Sequence, residues 1–157
     1  MESQAVEIIE TEFVLEEAMS LNHSRLINRL NVLLSVAYEE QYDILPELEF
    51  ELSTGRLKPD VAVLPRLSYN WRADVIRYPD PPITAIEILS PTQSFDYLVH
   101  KIHNLYFPAG VQSAWLVVPT VRNIYLFVPN QPDVVFTAGI LRDPATQIEV
   151  ELAAIFR

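Results

Sequence analysis

Apolar residues recur at helical spacing in two stretches of the chain. In residues 21–40 they fall on one face of a helix, and Ser20 or Asn22 can cap its first turn. Residues 95–106 show the same spacing, and the pattern stops before Pro108, which cannot continue a helix. We therefore predict an amphipathic helix in each stretch.

The remaining apolar runs are short and predict β-strands. Alternating polar and apolar residues at 47–52, a turn, and the mostly apolar residues 57–64 predict a hairpin. Residues 83–89 are mostly apolar and residues 114–118 are a continuous apolar run, which is typical of strands that are buried on both faces. The same criteria predict further strands at residues 6–15, 123–128, 133–137 and 147–152.

Strands and helices are interspersed along the chain, with a proline-rich loop at residues 65–82. A mixed β-sheet with helices against its faces is the natural closure for this order. The predicted fold class is therefore α/β, in the broad sense that includes α+β. The length predicts a single domain of residues 1–157.

Composition excludes several classes of protein and site. The chain has no cysteine, so disulfides and thiolate metal sites are excluded, and it has no phosphate-binding glycine loop or nucleophile elbow. No apolar run approaches the roughly 20 residues of a membrane span. The N-terminus does not resemble a signal peptide. We expect a cytoplasmic protein with no membrane partner. The net charge of −10 weighs against a broadly basic nucleic-acid face, although the local field decides.

Two of the predicted buried strands each carry one acidic residue, Asp60 and Glu87. A buried carboxylate is costly unless it is paired or binds a metal ion. If the two strand faces coincide, these carboxylates converge and can bind Mg²⁺ or Mn²⁺ together with waters and phosphate oxygens. The alternatives are a solvated strand edge and a pairing with arginine. Glu7, Glu10 and Glu12 either add a ligand or form a solvated strand face.

Four further places carry candidate chemistry. Lys101 flanks the apolar stripe of the second helix and can reach the sheet. Asp96 lies in the first turn of that helix, where capping is its alternative role. His23 can face inward from the first helix, as a packed residue or as a ligand or proton shuttle. Tyr69 and Trp71, near arginines in the long loop, suit base stacking, an interface or packing of the loop itself.

An ordered set of short motifs spans most of the chain. It comprises Pro59-Asp60, Glu87-Ile88-Leu89-Ser90-Pro91-Thr92, Asp96, Lys101, Tyr106, Ala109-Gly110-Val111 and Trp115-Leu116-Val117. This set resembles the Uma-type putative restriction endonuclease family, a former domain of unknown function in the PD-(D/E)XK nuclease superfamily. The resemblance implies a restriction-endonuclease-like mixed central β-sheet flanked by helices. It also implies a Mg²⁺-dependent endonuclease that hydrolyses DNA phosphodiester bonds.

The resemblance also implies roles for the two acidic residues and for a lysine. Asp60 would be the aspartate of the PD motif and Glu87 the acidic residue of (D/E)XK, and together they would hold the metal ion. Leu89 stands where the superfamily has its lysine. Lys101 on the following helix would supply the amine, and Lys58 is the second candidate.

His23 and Asp96 would act near this centre, according to the same resemblance. The chain departs from the family pattern at His100, where an acidic residue usually precedes the lysine. The acidic charge and the displaced lysine leave an alternative function open, a non-catalytic binding or assembly module on a nuclease-like fold. A homodimer is the expected form of self-association, because two-fold pairs are the commonest oligomers.

Overall fold

A mixed β-sheet with helices on its two faces forms the centre of the molecule. The structure, a computed structural model, describes residues 19–157. Its α-helices are α1 (Leu21–Tyr38), α2 (Phe95–Lys101) and α3 (Leu152–Ile155). Its strands are β1 (Tyr42–Pro46), β2 (Phe50–Leu52), β3 (Gly55–Leu57), β4 (Val61–Pro65), β5 (Thr84–Ile88), β6 (Ser113–Val118), β7 (Asn123–Phe127), β8 (Val134–Phe136), β9 (Ile140–Arg142) and β10 (Glu149–Glu151).

Six of these strands form the central sheet, in the order β1-β4-β5-β6-β7-β8. The β5 and β6 strands are parallel, and every other neighbouring pair of this sheet is antiparallel. A parallel pair needs a long crossover connection, and α2 supplies it. Two separate hairpins pair β2 with β3 and β9 with β10. The predicted mixed sheet flanked by helices is therefore confirmed.

The central strands send alternate side chains into two apolar cores. Ile86 and Trp115 belong to the core that includes Leu30 of α1, whereas Ala85 belongs to the core that includes Leu98 of α2. Each large apolar side chain buried in this way contributes about 1.5–3 kcal/mol. Both faces of the sheet are covered, which explains why β5 and β6 are mostly apolar, without an alternation of polar and apolar residues.

The helix beginnings agree with the sequence signals. The Ser20 hydroxyl accepts a hydrogen bond from the backbone N–H of His23 at 3.3 Å, so Ser20 caps α1, as one of the two predicted caps. The Ser94 hydroxyl caps α2 in the same way, accepting from the N–H of Tyr97 at 3.1 Å. The two caps fix the residue at which each helix starts. They thereby fix the face of the helix on which each side chain of the first turn lies.

The second predicted helix changes its geometry partway along. It is α-helical through α2 and continues as a π-helix over Ile102–Tyr106. The N–H of Phe107 donates to the carbonyl of Ile102, five residues earlier, at 3.0 Å. The apolar spacing of the sequence predicts the helix but not this wider turn.

The predicted hairpin of residues 47–52 and 57–64 is wrong in its second arm. The hairpin is the short pair β2–β3, while β4 is a separate strand that pairs with β1 and β5. Lys58 to Asp60 precede β4, since Pro59 has no N–H to donate to a ladder. Strand alternation therefore does not place Lys58 and Asp60 on one face. The pattern also misses β1 and β9, which are short and only partly apolar.

The predicted strand region 6–15 lies outside the described residues, and so do Glu7, Glu10 and Glu12 within it. Among the helices of residues 19–157, none combines the length and the apolar character that crossing a membrane requires.

Candidate active site

Asp60 and Glu87 meet at one end of the β4–β5 pair. Val61 is the register partner of Ile86, so the residue before β4 lies opposite the residue that follows Ile86. The Oδ2 atom of Asp60 accepts a hydrogen bond from the backbone N–H of Ile88 at 2.7 Å. The Asp60 carboxylate is therefore tied to the end of the strand that carries Glu87.

His23 holds the other oxygen of Asp60. Its Nε2 lies 2.9 Å from Oδ1, and both side chains are mostly buried. The hydrogen bond to Asp60 is the largest cause that raises the pKa of His23, and it outweighs burial, which lowers that pKa. The ring is thereby biased toward the imidazolium form, which donates to the carboxylate. Each oxygen of Asp60 then accepts one hydrogen bond.

Glu87 is a buried carboxylate whose Oε1 accepts two hydrogen bonds. The side chain is 3% exposed, and Oε1 lies 2.8 Å from Nζ of Lys101 and 2.5 Å from the hydroxyl of Tyr106. Burial is the largest cause that raises the pKa of Glu87. The Lys101 ammonium opposes this rise, whereas the charge of Asp60 adds to it. Two carboxylates thus lie close together in a poorly solvated place, an arrangement that a bound cation would stabilise.

Lys101 and Tyr106 reach Glu87 from the same side. Lys101 is the last residue of α2, and Tyr106 is the last residue of the π-helix that continues it. The Nζ atom lies 5.4 Å from the centroid of the Tyr106 ring, a cation–π distance. Burial and the Glu87 carboxylate raise the pKa of Tyr106 well above its ordinary value, so the phenol stays protonated and donates.

The structure brings together four of the five residues predicted for the site. Within the described part of the chain, no hydrogen bond or ion pair joins Asp96 or Lys58 to them; both are exposed. Asp96 lies in the first turn of α2, where the helix dipole favours a carboxylate. His100 makes a local contact, with its Nδ1 3.0 Å from Nδ2 of Asn104.

Tyr106 is the residue of this cluster for which the sequence predicts no chemistry. In the sequence it appears as one more member of the apolar stripe of the second helix. Its hydroxyl contacts Glu87, nineteen residues away, so the helical pattern alone contains no signal for the contact. The one signal in the sequence that marks Tyr106 is its place in the ordered set of motifs that resembles the family.

The donor set suits a hard divalent cation. Residues 19–157 contain no group of three or more histidine, cysteine or acidic side chains that could hold a metal ion. Mg²⁺ is usually bound by one or two carboxylates, with waters and phosphate oxygens completing its shell. Asp60 and Glu87 match that pattern. Lys101 and Tyr106 both contact Oε1 of Glu87, and the described residues provide no donor to Oε2.

Comparisons with known proteins give a family and a fold. The family model of Uma2, described as putative restriction endonuclease, matches residues 1–154. A crystal structure of a putative nuclease belonging to DUF820 from Anabaena variabilis ATCC 29413 is 22% identical, with a TM-score of 0.75. The likeness covers 88% of this chain and 82% of that one, and at this identity it shows the fold alone. The comparison with curated proteins finds no match.

Proposed function

The chain belongs to the Uma2 family of putative restriction endonucleases, and from this membership and the site geometry we propose a Mg²⁺-dependent endonuclease that hydrolyses DNA phosphodiester bonds. The family match confirms the resemblance seen in the sequence and supports a nuclease-like function. Mn²⁺ is expected to replace Mg²⁺, because both ions prefer oxygen ligands.

One observation carries the proposal. Asp60 and Glu87 converge at one end of β4 and β5, and Lys101 contacts the same carboxylate of Glu87 at 2.8 Å. The cluster also places the two carboxylates close enough for the charge of Asp60 to raise the pKa of Glu87. A divalent cation bound between them during function would offset this repulsion and account for the arrangement.

Each residue of the cluster has a distinct role in the proposal. Asp60 and Glu87 would hold the ion, which when bound would supply the positive charge that polarises the phosphodiester and lowers the pKa of a water. Lys101 is close enough to the carboxylates to orient the attacking water or to stabilise charge in the transition state. His23 orients Asp60 through its hydrogen bond. We assign Asp96 no part in the reaction, because it is exposed in the first turn of α2.

The local charge of the site is compatible with an anionic substrate despite the net charge of −10. The cluster carries the Lys101 ammonium, and the raised pKa of His23 favours a second positive charge beside Asp60. A divalent ion would add two more positive charges. The local potential, which decides the approach of a phosphodiester, can therefore differ in sign from that of the whole chain.

Calorimetric titration with Mn²⁺, paired with a Mg²⁺-dependent DNA cleavage assay, tests this proposal. Asp60→Asn and Glu87→Gln remove one negative charge each while keeping the side-chain size, and we expect both to lose Mn²⁺ binding and cleavage. Asp96→Asn removes an exposed carboxylate outside the cluster and should keep both. Cleavage that persists unchanged in Asp60→Asn would rule out the proposed centre.

We propose a second candidate, a binding or assembly module, on the basis of the loop between β4 and β5. Tyr69 and Trp71 stack there with ring centroids 5.6 Å apart, and Trp71 is 91% exposed. Ile76 is also exposed in the same loop. Such a surface favours a partner, and a second copy of the chain is the simplest one. Sedimentation of the parent and of Trp71→Ser tests it, since a homodimer through this loop should dissociate in the variant.

A further inference from the structure

The hydroxyl of Tyr106 makes its hydrogen bond to a candidate metal ligand. The side chain is fully buried, and its O–H donates to Oε1 of Glu87 at 2.5 Å. A buried tyrosine normally needs one partner for its hydroxyl, and an apolar core would be served equally well by phenylalanine. The hydroxyl is therefore informative, because it contacts one specific oxygen of the proposed centre.

The π-helical turn explains how two donors reach that oxygen. Lys101 and Tyr106 are five residues apart, which in an α-helix separates them by about 140° around the axis. In a π-helix the hydrogen bonds connect residues five apart, so such residues lie nearly above one another. The N–H of Phe107 bonds to the carbonyl of Ile102 in this way. The wider turn thus brings Lys101 and Tyr106 to one side of the helix, facing Glu87.

Both donors contact the same oxygen, which leaves the carboxylate asymmetric. Oε1 of Glu87 accepts from Nζ of Lys101 and from the Tyr106 hydroxyl. Among residues 19–157 no donor contacts Oε2. A carboxylate with a single donor can rotate and exchange its oxygens, whereas two donors on one oxygen fix which oxygen faces away from them.

We infer that Tyr106 is a positioning residue: with Lys101 it holds Oε1 of Glu87 and directs Oε2 toward a divalent cation shared with Asp60. This inference rests on the proposed function, since it concerns the same centre. The π-helical turn then has a structural role, because it places the Tyr106 phenol beside the Lys101 amine. Tyr106 acts through Glu87 and does not itself contact the substrate or the ion.

Calorimetric Mn²⁺ titration of Tyr106→Phe tests the assignment. The substitution removes one hydroxyl and keeps the ring that packs in the core and lies near Lys101. Loss of a group that orients a metal ligand typically costs about 10–100-fold in metal affinity, and we expect a loss in that range. The matched control is Tyr97→Phe, which removes an exposed hydroxyl from the same helix and should bind Mn²⁺ as the parent does.

Thermal unfolding separates a positioning role from a purely structural one. Mn²⁺ should raise the midpoint of the parent and of Tyr97→Phe by similar amounts, and that of Tyr106→Phe by clearly less at the same Mn²⁺ concentration. The measured quantity is the shift of the unfolding midpoint when Mn²⁺ is added to one variant. A variant that is less stable without the metal can therefore still be compared with the parent. If Tyr106→Phe does not fold, nuclear magnetic resonance of the parent still tests where the ion binds. Mn²⁺ is paramagnetic and should broaden the ring signals of Tyr106 at lower Mn²⁺ concentrations than those of Tyr97.

Each outcome has a definite meaning. A parent that binds Mn²⁺ and a Tyr106→Phe variant that binds it equally well would overturn the positioning role and leave the proposed function standing. If the parent bound no Mn²⁺, both the positioning role and the proposed function would be overturned. The same would follow if Asp60→Asn bound Mn²⁺ as well as the parent does. Equal broadening of the Tyr106 and Tyr97 signals would likewise exclude an ion held at Glu87.

Discussion

Two buried carboxylates lie on opposite faces of the central sheet, and their surroundings differ. Glu87 shares the face of Ala85, and its donors include an ammonium group and a phenol. Asp143 is fully buried beside Trp115, and its donors within the described residues are all neutral. The Asp143 oxygens lie 2.6 Å from Oγ of Ser113, 2.8 Å from Nε1 of Trp115, 3.2 Å from Oγ1 of Thr84 and 2.8 Å from N of Ala145.

The comparison shows that burial of a carboxylate does not by itself mark a functional site. Asp143 has donors on both oxygens, and it ties the connection between β9 and β10 to the start of β5 and β6. Its hydrogen bonds are satisfied without any ligand. Glu87 has both donors on one oxygen and a second carboxylate, Asp60, nearby. Among the described residues, the oxygen of Glu87 that has no donor and the second carboxylate beside it, rather than burial, distinguish the candidate active site.

Replacing each of the two carboxylates by its isosteric amide tests this comparison. Of the changes considered, these should have the largest effect on the unfolding free energy. In Asp143→Asn the new NH₂ group must face a buried donor, so the free energy of unfolding should fall by about 1–3 kcal/mol. In Glu87→Gln the amide oxygen can face Lys101 and Tyr106, and its NH₂ group can face Asp60. We expect that change to be smaller than about 1 kcal/mol. Urea unfolding in the presence of a chelator measures both.

Mn²⁺ binding should be affected in the opposite order, with the larger loss in Glu87→Gln and no loss in Asp143→Asn. Folded Asp143→Asn should bind Mn²⁺ with the affinity of the parent, because Asp143 lies on the other face of the sheet. Glu87→Gln should lose binding. If both variants lost the same amount of stability and neither affected Mn²⁺ binding, Glu87 would be a structural residue like Asp143.

The pairing of His23 with Asp60 should make stability depend on pH. The folded-state pKa of His23 is raised, so the protonated ring stabilises the fold below the unfolded-state pKa of about 6.5. That contribution is lost as pH rises from there through the raised folded-state pKa. The difference in unfolding free energy between the parent and His23→Gln should therefore shrink with rising pH across this window.

The matched control for this pH dependence is His100→Gln, because His100 is exposed and bonds only locally to Asn104. Its difference from the parent should show little dependence on pH over the same range. Urea unfolding at a series of pH values measures both variants. A His23→Gln difference that stays constant or grows with pH would contradict the hydrogen bond to Asp60 as the main influence on His23.

The cap of α1 should give the smallest effect. Ser20→Ala removes the acceptor for the N–H of His23 and should cost about 1 kcal/mol of stability. Ser24→Ala, an exposed site within the same helix, should cost less, because alanine is the better helix former. Because the cap holds the turn that carries His23, we also expect a weaker pH dependence in Ser20→Ala. Equal losses in the two variants would indicate that the cap contributes little.

Local pattern was sufficient for the elements that depend on neighbouring residues. Apolar spacing predicted α1, and mostly apolar runs predicted β5 and β6, because periodicity and burial on two faces leave a direct trace in the sequence. Ser20 was one of two predicted caps, with Asn22, because capping involves residues only three apart. The ordered motifs from Asp60 to Trp115 predicted the family and, through it, the fold.

Tertiary structure alone decided the contacts between distant residues. The pairing of β4 with β1 depends on which strands become neighbours, and short strands carry too little pattern to determine this. The contact of His23 with Asp60 spans 37 residues, and that of Tyr106 with Glu87 spans nineteen. Asp143 is followed by proline and resembles an ordinary turn residue in sequence. The sequence determined which residues carry charge and which are apolar, whereas the packing of the sheet decided which charges meet.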